Sequence, residues 1–460
     1  MKDYKNYPVT KIENLHELLF CSVKLHNSKT AFQRLNDDIS YNQFLSNILS
    51  VSNVLKPYSD SFFHINIKDS YLFAVAYFAT IITGNIAVLL DDTHYNDDIE
   101  KPAFTLILTE KMIEQMFSEA PIDENRLPTP VTDNVCTVLY SSGTTSAAKG
   151  IMLSQGNLCS NVIAGLEKYS FSSEDKLLQL IPYYHAFGLV CDLLAPLLSG
   201  TIICIPDSKA QGLAQMRMFQ PTMLNVPPAI AEALLNIAER AGSMEIVTGG
   251  KLRKILCGGA HLSREIAENI EKWNIKAFGC YGVSECSPCI SVNRDEFYKF
   301  GSAGIPLNCN TIRIAEDGEI IISGSNIMLG YYNDLNRTTS VIIDGEYHTG
   351  DLGYLDEDGF LFVVGRKNNM IVFEDGTKCL PETLEETILT HPAIQEVLVY
   401  AERINGGLKL CVKLFVPDTD THKEVQEFLF AIPKCQPFYR ICFEKEPLPK
   451  TTIGKLRRDL

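Results

Sequence analysis

From residue 135 onward, short apolar runs alternate with amphipathic segments. Val135 to Leu139, Thr201 to Ile205, Thr222 to Val226, Lys254 to Cys257 and Ile275 to Phe278 read as strands, being too short for helices and rich in branched side chains. Helical stretches lie between them, with Pro228 at one helix start and Ser263 ahead of Glu265 at another. Such alternation requires a mostly parallel sheet covered by helices, and sheets of that kind bind ligands in the crevice at the carboxyl ends of their strands. Glycines and polar residues that directly follow a strand are therefore where chemistry is expected.

The pattern changes between Thr311 and Val364. There, short strands are split by Glu316-Asp317-Gly318, Asp344-Gly345 and Asp356-Glu357-Asp358-Gly359, turn sequences typical of antiparallel β structure. A new unit begins near Arg366, with strand-like Val397 to Tyr400 and Leu410 to Phe415 and helix-like Pro381 to Leu389 and His422 to Phe430. The expected class is α/β. Residues 1–365 form a large domain of helix-covered mixed and parallel sheets with a small β-barrel-like part, and residues 366–460 form a small α+β domain.

Apolar residues make up 46% of the chain, enough for a large core in a globular protein. The formal charge is 41 − 56 = −15; a surface this acidic repels a phosphate backbone, so nucleic acid is excluded as a partner. The 14 cysteines have no secreted-framework spacing, and no basic start precedes an apolar core at the amino terminus, so free thiols in a reducing cytoplasm are expected. Cys286-Ser287-Pro288-Cys289 is a lone pair without the second pair a zinc site needs. Tyr71 to Leu90 has no charge and is long enough to span a bilayer. Thr83-Gly84-Asn85 interrupts it, however, so it reads as a buried helix followed by a core strand that ends at Asp91-Asp92, with no integral membrane association.

Four segments carry chemistry. Tyr140 to Gly150 is a loop after a strand in which Ser141, Ser142, Gly143, Thr144 and Thr145 precede Lys149. Accessible backbone amides, hydroxyls and an ammonium can wrap phosphate oxygens. It is not a Walker A loop, because Ala148 precedes Lys149 and Gly150 follows it. Gly258-Gly259-Ala260 follows another strand, where missing side chains let a flat ring lie on the backbone. Tyr281-Gly282-Val283-Ser284-Glu285 offers a stacking phenol, a hydroxyl and a carboxylate, suited to a nucleotide ring, a phosphate and a magnesium ion. Tyr347 to Gly353 places Asp351 in a tight turn, where its two oxygens can accept both ribose hydroxyls.

With Pro182-Tyr183-Tyr184-His185-Ala186-Phe187-Gly188, Gly301 to Pro306, Gly330-Tyr331-Tyr332, Gly365-Arg366 and Pro449 to Lys455, these segments occur in an order that resembles the adenylate-forming superfamily. That superfamily contains acyl-CoA synthetases, aryl-CoA ligases, luciferases and nonribosomal adenylation domains. The resemblance runs from Val135 to Lys455 and implies a two-step reaction. A carboxylate attacks the α-phosphate of Mg-ATP to give acyl-AMP and pyrophosphate, and a thiol then captures the acyl group. It assigns magnesium to Glu285, the α-phosphate to Ser284, the ribose to Asp351, the ribose–phosphate to Arg366, and the carboxylate and bridging oxygens to Lys455. His185 either gates the acyl pocket or is a structural histidine. Because Lys455 belongs to the small domain, that domain is expected to rotate between half-reactions about a hinge at Asn368, where relatives carry Asp or Lys. Ser146 and Ser284 replace a usual glycine and threonine, and the amino-terminal subdomain reads as trimmed.

Amino-acid substrates rank low, since Pro182-Tyr183-Tyr184-His185 has no carboxylate to pair an ammonium. Phe187 to Leu198 and Val226-Pro227 offer apolar walls, and Arg366 to Glu385 looks most like fatty acyl-CoA synthetases, so a fatty acid is favoured over an aryl acid. Coenzyme A is the expected acceptor because no carrier domain follows Leu460; a stand-alone ligase loading the phosphopantetheine of an acyl carrier protein is an alternative. A nucleotide-binding pseudoenzyme is the alternative from another class.

Overall fold

The five strands read from the apolar runs divide between two sheets. In the computed structural model, which describes residues 6–90, 100–141 (Ser141 by its backbone only), 148–404, 406–432, 434, 436–450, 456 and 458, four of them join a nine-stranded sheet. Its parallel centre runs Lys276–Gly282, Lys254–Cys257, Met223–Val226, Lys176–Leu178, Ile202–Cys204 and Thr30–Gln33. Antiparallel strands finish it, Cys289–Val292 and Ile305–Pro306 on one side and Asp38–Ser40 on the other. Every residue of Lys254–Cys257 and Met223–Val226 is buried, as strands covered on both faces require.

Val135–Ser141 belongs instead to a six-stranded sheet. It runs parallel to Ile86–Leu89, with Phe62–Ile65 and Leu106–Leu108 beyond, and antiparallel to Lys149–Ser154, which in turn pairs with Gly330–Tyr331. The uncharged stretch from Tyr71 is the expected buried helix, Ser70–Ile82, all of whose residues are buried. Asp69 caps it by accepting from the Leu72 amide, and the Thr80 and Thr83 hydroxyls donate back to the Ala76 and Ala79 carbonyls. Its polar groups are thus satisfied inside the protein. At 13 residues it spans about 20 Å, against the ~30 Å of a bilayer core. No helix among the described residues is long and apolar enough to cross a membrane.

The antiparallel region is a five-stranded sheet of Asn310–Ile314, Glu319–Gly324, Glu346–Leu355, Ile342–Ile343 and Leu361–Arg366. Gly318, Gly345 and Gly359 adopt φ of +88°, +80° and +87°, the left-handed turn geometry that the acidic-glycine tetrads predict. Beyond it, Glu396–Ile404, Gly407–Phe415 and Phe438–Glu444 form a three-stranded sheet with helices Pro381–Ile388 and His422–Ala431. Ile388, Val399, Val412 and Leu429 belong to an apolar cluster of their own there.

Two local expectations are corrected. The strand predicted to stop at Phe278 continues to Gly282, because antiparallel pairing with Cys289–Val292 carries it past the parallel sheet. Asp351 is not in a tight turn but inside strand Glu346–Leu355, opposite Arg366.

Candidate active site

The extension of strand Lys276–Gly282 sets the first half of the site. Tyr281 pairs with Ser291 across the antiparallel edge. A Cβ on Gly282 would lie 2.3 Å from the Pro288 carbonyl oxygen, so only glycine lets the chain double back there. The Tyr281 hydroxyl donates to Asp351 Oδ2 at 2.7 Å, and Arg366 Nε stands 2.8 Å from Asp351 Oδ1. Both carboxylate oxygens are thus oriented, each keeping a lone pair for a further donor. Burial, then the neighbouring Asp351, pushes the Tyr281 phenol well above its ordinary pKa, so it stays an O–H donor.

Glu285 sets the second half. It lies in the single turn Ser284–Cys286, where its carbonyl accepts from the Met328 amide at 2.8 Å. Its Oε1 accepts from the Tyr331 hydroxyl at 2.8 Å. Tyr331 comes from the edge strand that pairs with Lys149–Ser154, and Lys149 Nζ sits 5.2 Å from the centre of its ring. Arg337 lies 5.9 Å from the same ring. Burial, and after it Arg337, lowers the Lys149 pKa, while Glu285 opposes the shift. Buried Tyr347 is a neighbour of both Tyr331 and Glu285, and burial, then Glu285, pushes its phenol well above the ordinary range. The result is two carboxylates, each held by a phenol, Glu285 by Tyr331 and Asp351 by Tyr281, and flanked by Lys149, Arg337 and Arg366.

Of the residues expected from sequence, Lys149, Tyr281, Gly282, Ser284, Glu285, Asp351 and Arg366 come together in or beside this arrangement. Ser141 pairs with Lys149, so the two ends of the hydroxyl-rich loop are neighbours. Ser142, Gly143, Thr144, Thr145, Ser146 and Lys455 lie outside the described residues. The two glycines after Lys254–Cys257 have different tasks. A Cβ on Gly258 would meet the Phe187 ring at 2.9 Å and Cys280 Sγ at 3.0 Å, so the aromatic ring against it is the protein's own. Gly259 has φ +79° with nothing near its Cβ position, and Ala260 is exposed. The face open to a ligand is therefore at Gly259–Ala260. His185 is half-buried, its ring 4.7 Å from that of Tyr184.

Sequence reasoning assigned no role to Tyr331, Tyr347 or Arg337. The first two stood inside quoted motifs, but the bond from Tyr331 to a carboxylate 46 residues away leaves no local trace. It also read the segment after Phe187 as plain apolar wall. Gly188–Leu194 is a π-wound turn and contains fully buried Asp192. Asp192 Oδ1 accepts from Asn225 Nδ2 at 2.9 Å, and burial pushes its carboxyl up to about 7.

The family model described as "AMP-binding enzyme" matches residues 98–332. A 2-succinylbenzoate–CoA ligase of Bacillus mycoides (strain KBAB4) is 29% identical over 347 residues, 71% of this chain and 70% of that protein. A probable 4-coumarate–CoA ligase 3 of Dictyostelium discoideum is 30% identical over 354 residues, covering 71% and 63%. The structure of O-succinylbenzoate coenzyme A synthetase from Bacillus subtilis in complex with AMP superposes with a TM-score of 0.82 at 22% identity, over 96% of this chain and 98% of that one. The chain belongs to the AMP-binding enzyme family, the adenylate-forming superfamily that its ordered motifs resemble.

Proposed function

We propose that this protein is an ATP-dependent acid–CoA ligase acting on an aryl acid. The observation that carries the reading is the pair of oriented carboxylates, Glu285 and Asp351, set among Lys149, Arg337 and Arg366 at the carboxyl end of strand Lys276–Gly282. The aryl preference is supported by the relatives that act on 2-succinylbenzoate and 4-coumarate; it replaces the fatty acid favoured from sequence. A fatty acid remains the second reading, favoured by buried Leu189, Val190, Leu193 and Leu194 beyond His185.

The first step joins two anions, so its barrier is largely electrostatic, and fixed cations must stand where negative charge gathers. Lys149 and Arg337 would face the phosphates. Asp351 would accept the ribose hydroxyls while Tyr281 and Arg366 keep its oxygens aimed. Ser284 would donate to the α-phosphate, and Lys455 to the attacking carboxylate and bridging oxygen. Among the described residues no cluster of three or more His, Cys, Asp or Glu could hold a metal. A single carboxylate such as that of Glu285 fits magnesium, which takes most of its ligands from phosphates and water. Glu285 would hold the ion, whose part is to neutralise phosphate charge. After pyrophosphate leaves, the CoA thiol attacks the acyl carbon and AMP departs.

Pyrophosphate release is measured with ATP and magnesium against 4-coumarate, 2-succinylbenzoate, benzoate, octanoate and palmitate, each with and without CoA. Release that depends on an aryl acid, with the matching thioester formed, is the expected result. Release only with the fatty acids supports the second reading. ATP binding without turnover on any acid leaves a nucleotide-binding module, and a product only with acyl carrier protein reassigns the acceptor.

A further inference from the structure

Cys289 closes the Cys286-Ser287-Pro288-Cys289 motif, which the ligase chemistry leaves unused. The thiol in contact with it is Cys191, 98 residues earlier, at an Sγ···Sγ distance of 3.6 Å. Side-chain amides hold both backbones. Asn161 Nδ2 donates to the Cys289 carbonyl at 2.7 Å, and the Cys289 amide donates back to Asn161 Oδ1 at 3.2 Å. Asn225 Nδ2 donates to the Cys191 carbonyl at 2.9 Å. The partners differ in access, since Cys191 is buried and Cys289 is half-open. The hydrogen bond with Cys289, and then burial, push the Cys191 thiol well up, so it is not the thiol that meets an oxidant first. The neighbouring Cys280 thiol is engaged with the Cys257 carbonyl at 3.3 Å.

We propose that Cys191 and Cys289 are a peroxide-sensitive dithiol whose oxidation to a disulfide lowers the turnover of the ligase. The Cys289 thiolate attacks hydrogen peroxide and breaks the O–O bond, giving a sulfenic acid and, after protonation of the leaving hydroxide, water. The Cys191 sulfur then attacks the sulfenic sulfur, the S–S bond forms, the S–O bond breaks, and the thiol proton leaves with the hydroxide as a second water. Peroxide is the two-electron oxidant, and the two thiols are oxidised.

The effect on turnover rests on the ligase reading and on what the two residues join. Cys191 lies in the π-wound turn Gly188–Leu194, directly after Phe187, whose ring lies against Gly258. Cys289 lies on the strand that pairs with Tyr281 and Gly282. Closing 3.6 Å to about 2.05 Å pulls the acyl-side turn toward the nucleotide-side strand. Misplacement on that scale costs about tenfold or more in rate.

The test treats the full chain with a small excess of hydrogen peroxide, followed by non-reducing peptide mapping and pyrophosphate release before and after dithiothreitol. The expected result is a Cys191–Cys289 linked peptide pair, a fall in release of about tenfold or more, and recovery on reduction. Cys191→Ala and Cys289→Ser, made separately so that a folding failure in one is not decisive, should keep reduced activity and resist peroxide. A link from Cys289 to Cys280 or Cys286, sulfinic acid at Cys289 without a link, or a Cys191–Cys289 link with unchanged turnover overturns the proposal. The peptide map needs no turnover, so failure of the ligase reading alone leaves the linkage itself decided.

Discussion

Removing one member of the Tyr281–Asp351–Arg366 group leaves the others with polar atoms aimed at nothing. Asp351→Ala strips Arg366 of the carboxylate that raises its pKa and Tyr281 of its acceptor, and it removes the proposed ribose contact. A hydrogen bond to a charged group is worth about 1.5–3 kcal/mol, so the KM for ATP should rise by about 10–100-fold with the KM for the acid little changed. Substrate-saturation kinetics check this, and an unchanged ATP requirement ends the ribose assignment. Asp192 gives a stability prediction. Its folded pKa of about 7 stands above the 3.8 of an ordinary aspartate. Between those values the folded state binds more protons than the unfolded state, so this residue's contribution to stability falls as pH rises from 4 to 7 and is fully lost above 7. Asp192→Asn should therefore change stability little at pH 4 and increase it at pH 8, by an amount on the order of 2–4 kcal/mol that a thermal melt reads as a higher Tm. Lys209, the nearby cation acting on Asp192, is itself lowered to about 7 by burial, with Asp192 and Asp69 opposing, and it sets the size of the change. Equal Tm differences at the two pH values refute the assignment.

At the scale of elements, much of the fold was legible because its signals are local. Lys254–Cys257 falls where its apolar run predicts, and Pro381–Ile388 and His422–Ala431 lie within a residue of the expected helices. What could not be read was partnership. The run from Val135 looks like those from Thr222 or Lys254, yet it joins a different sheet, because sheet membership is decided by contacts far apart in sequence. The same limit hid the Tyr331–Glu285 bond and placed Asp351 in a turn rather than opposite Arg366. The π-wound turn was equally invisible, although its cause is near at hand. A Cβ on Gly188 would lie 2.3 Å from the Pro182 carbonyl oxygen and 2.9 Å from that of Ile181, so the turn starts where only a hydrogen fits. Gly188→Ala should destabilise the protein by about 1–3 kcal/mol and impair acid-dependent turnover. Gly165, inside helix Gln155–Lys168 with no atom within 4 Å of its Cβ position, provides the opposite case. Gly165→Ala should stabilise by about 0.5–1 kcal/mol without touching activity. Thermal melts of the two variants side by side check both signs.

At the scale of the whole molecule, the proposed rotation of residues 366–460 depends on how lightly the two units are joined. Lys367 Nζ reaches Asp317 Oδ2 at 2.6 Å and Glu319 Oε2 at 2.9 Å in the five-stranded sheet, and His261 stands 3.5 Å from Glu386 across half-exposed surfaces. The Lys367–Asp317 and His261–Glu386 pairs are exposed and contribute little, about 0–1 kcal/mol each, whereas Glu319 is buried. The apolar side chains of the small unit meanwhile cluster among themselves. Asn368 sits in the short turn Lys367–Asn369, immediately past these links, where a few backbone angles can carry the whole motion. The residues flanking Lys455 are tied to the small unit. Lys450 reaches Glu396 Oε1 and bridges to Leu456, and Arg458 pairs with Glu385 and donates to the Val399 carbonyl. If closure brings Lys455 to the large unit for adenylation only, then Lys455→Ala should slow acid-dependent pyrophosphate release by about a hundredfold to a thousandfold, while thioester formation from preformed acyl-AMP survives. Asn368→Pro should do the reverse, because proline stiffens its own φ and drives Lys367 out of its turn conformation. Adenylation from the closed arrangement would persist and the thioester step would fail. Single-turnover measurement of each half-reaction separates the two variants, and equal loss in both half-reactions for either one removes the case for rotation.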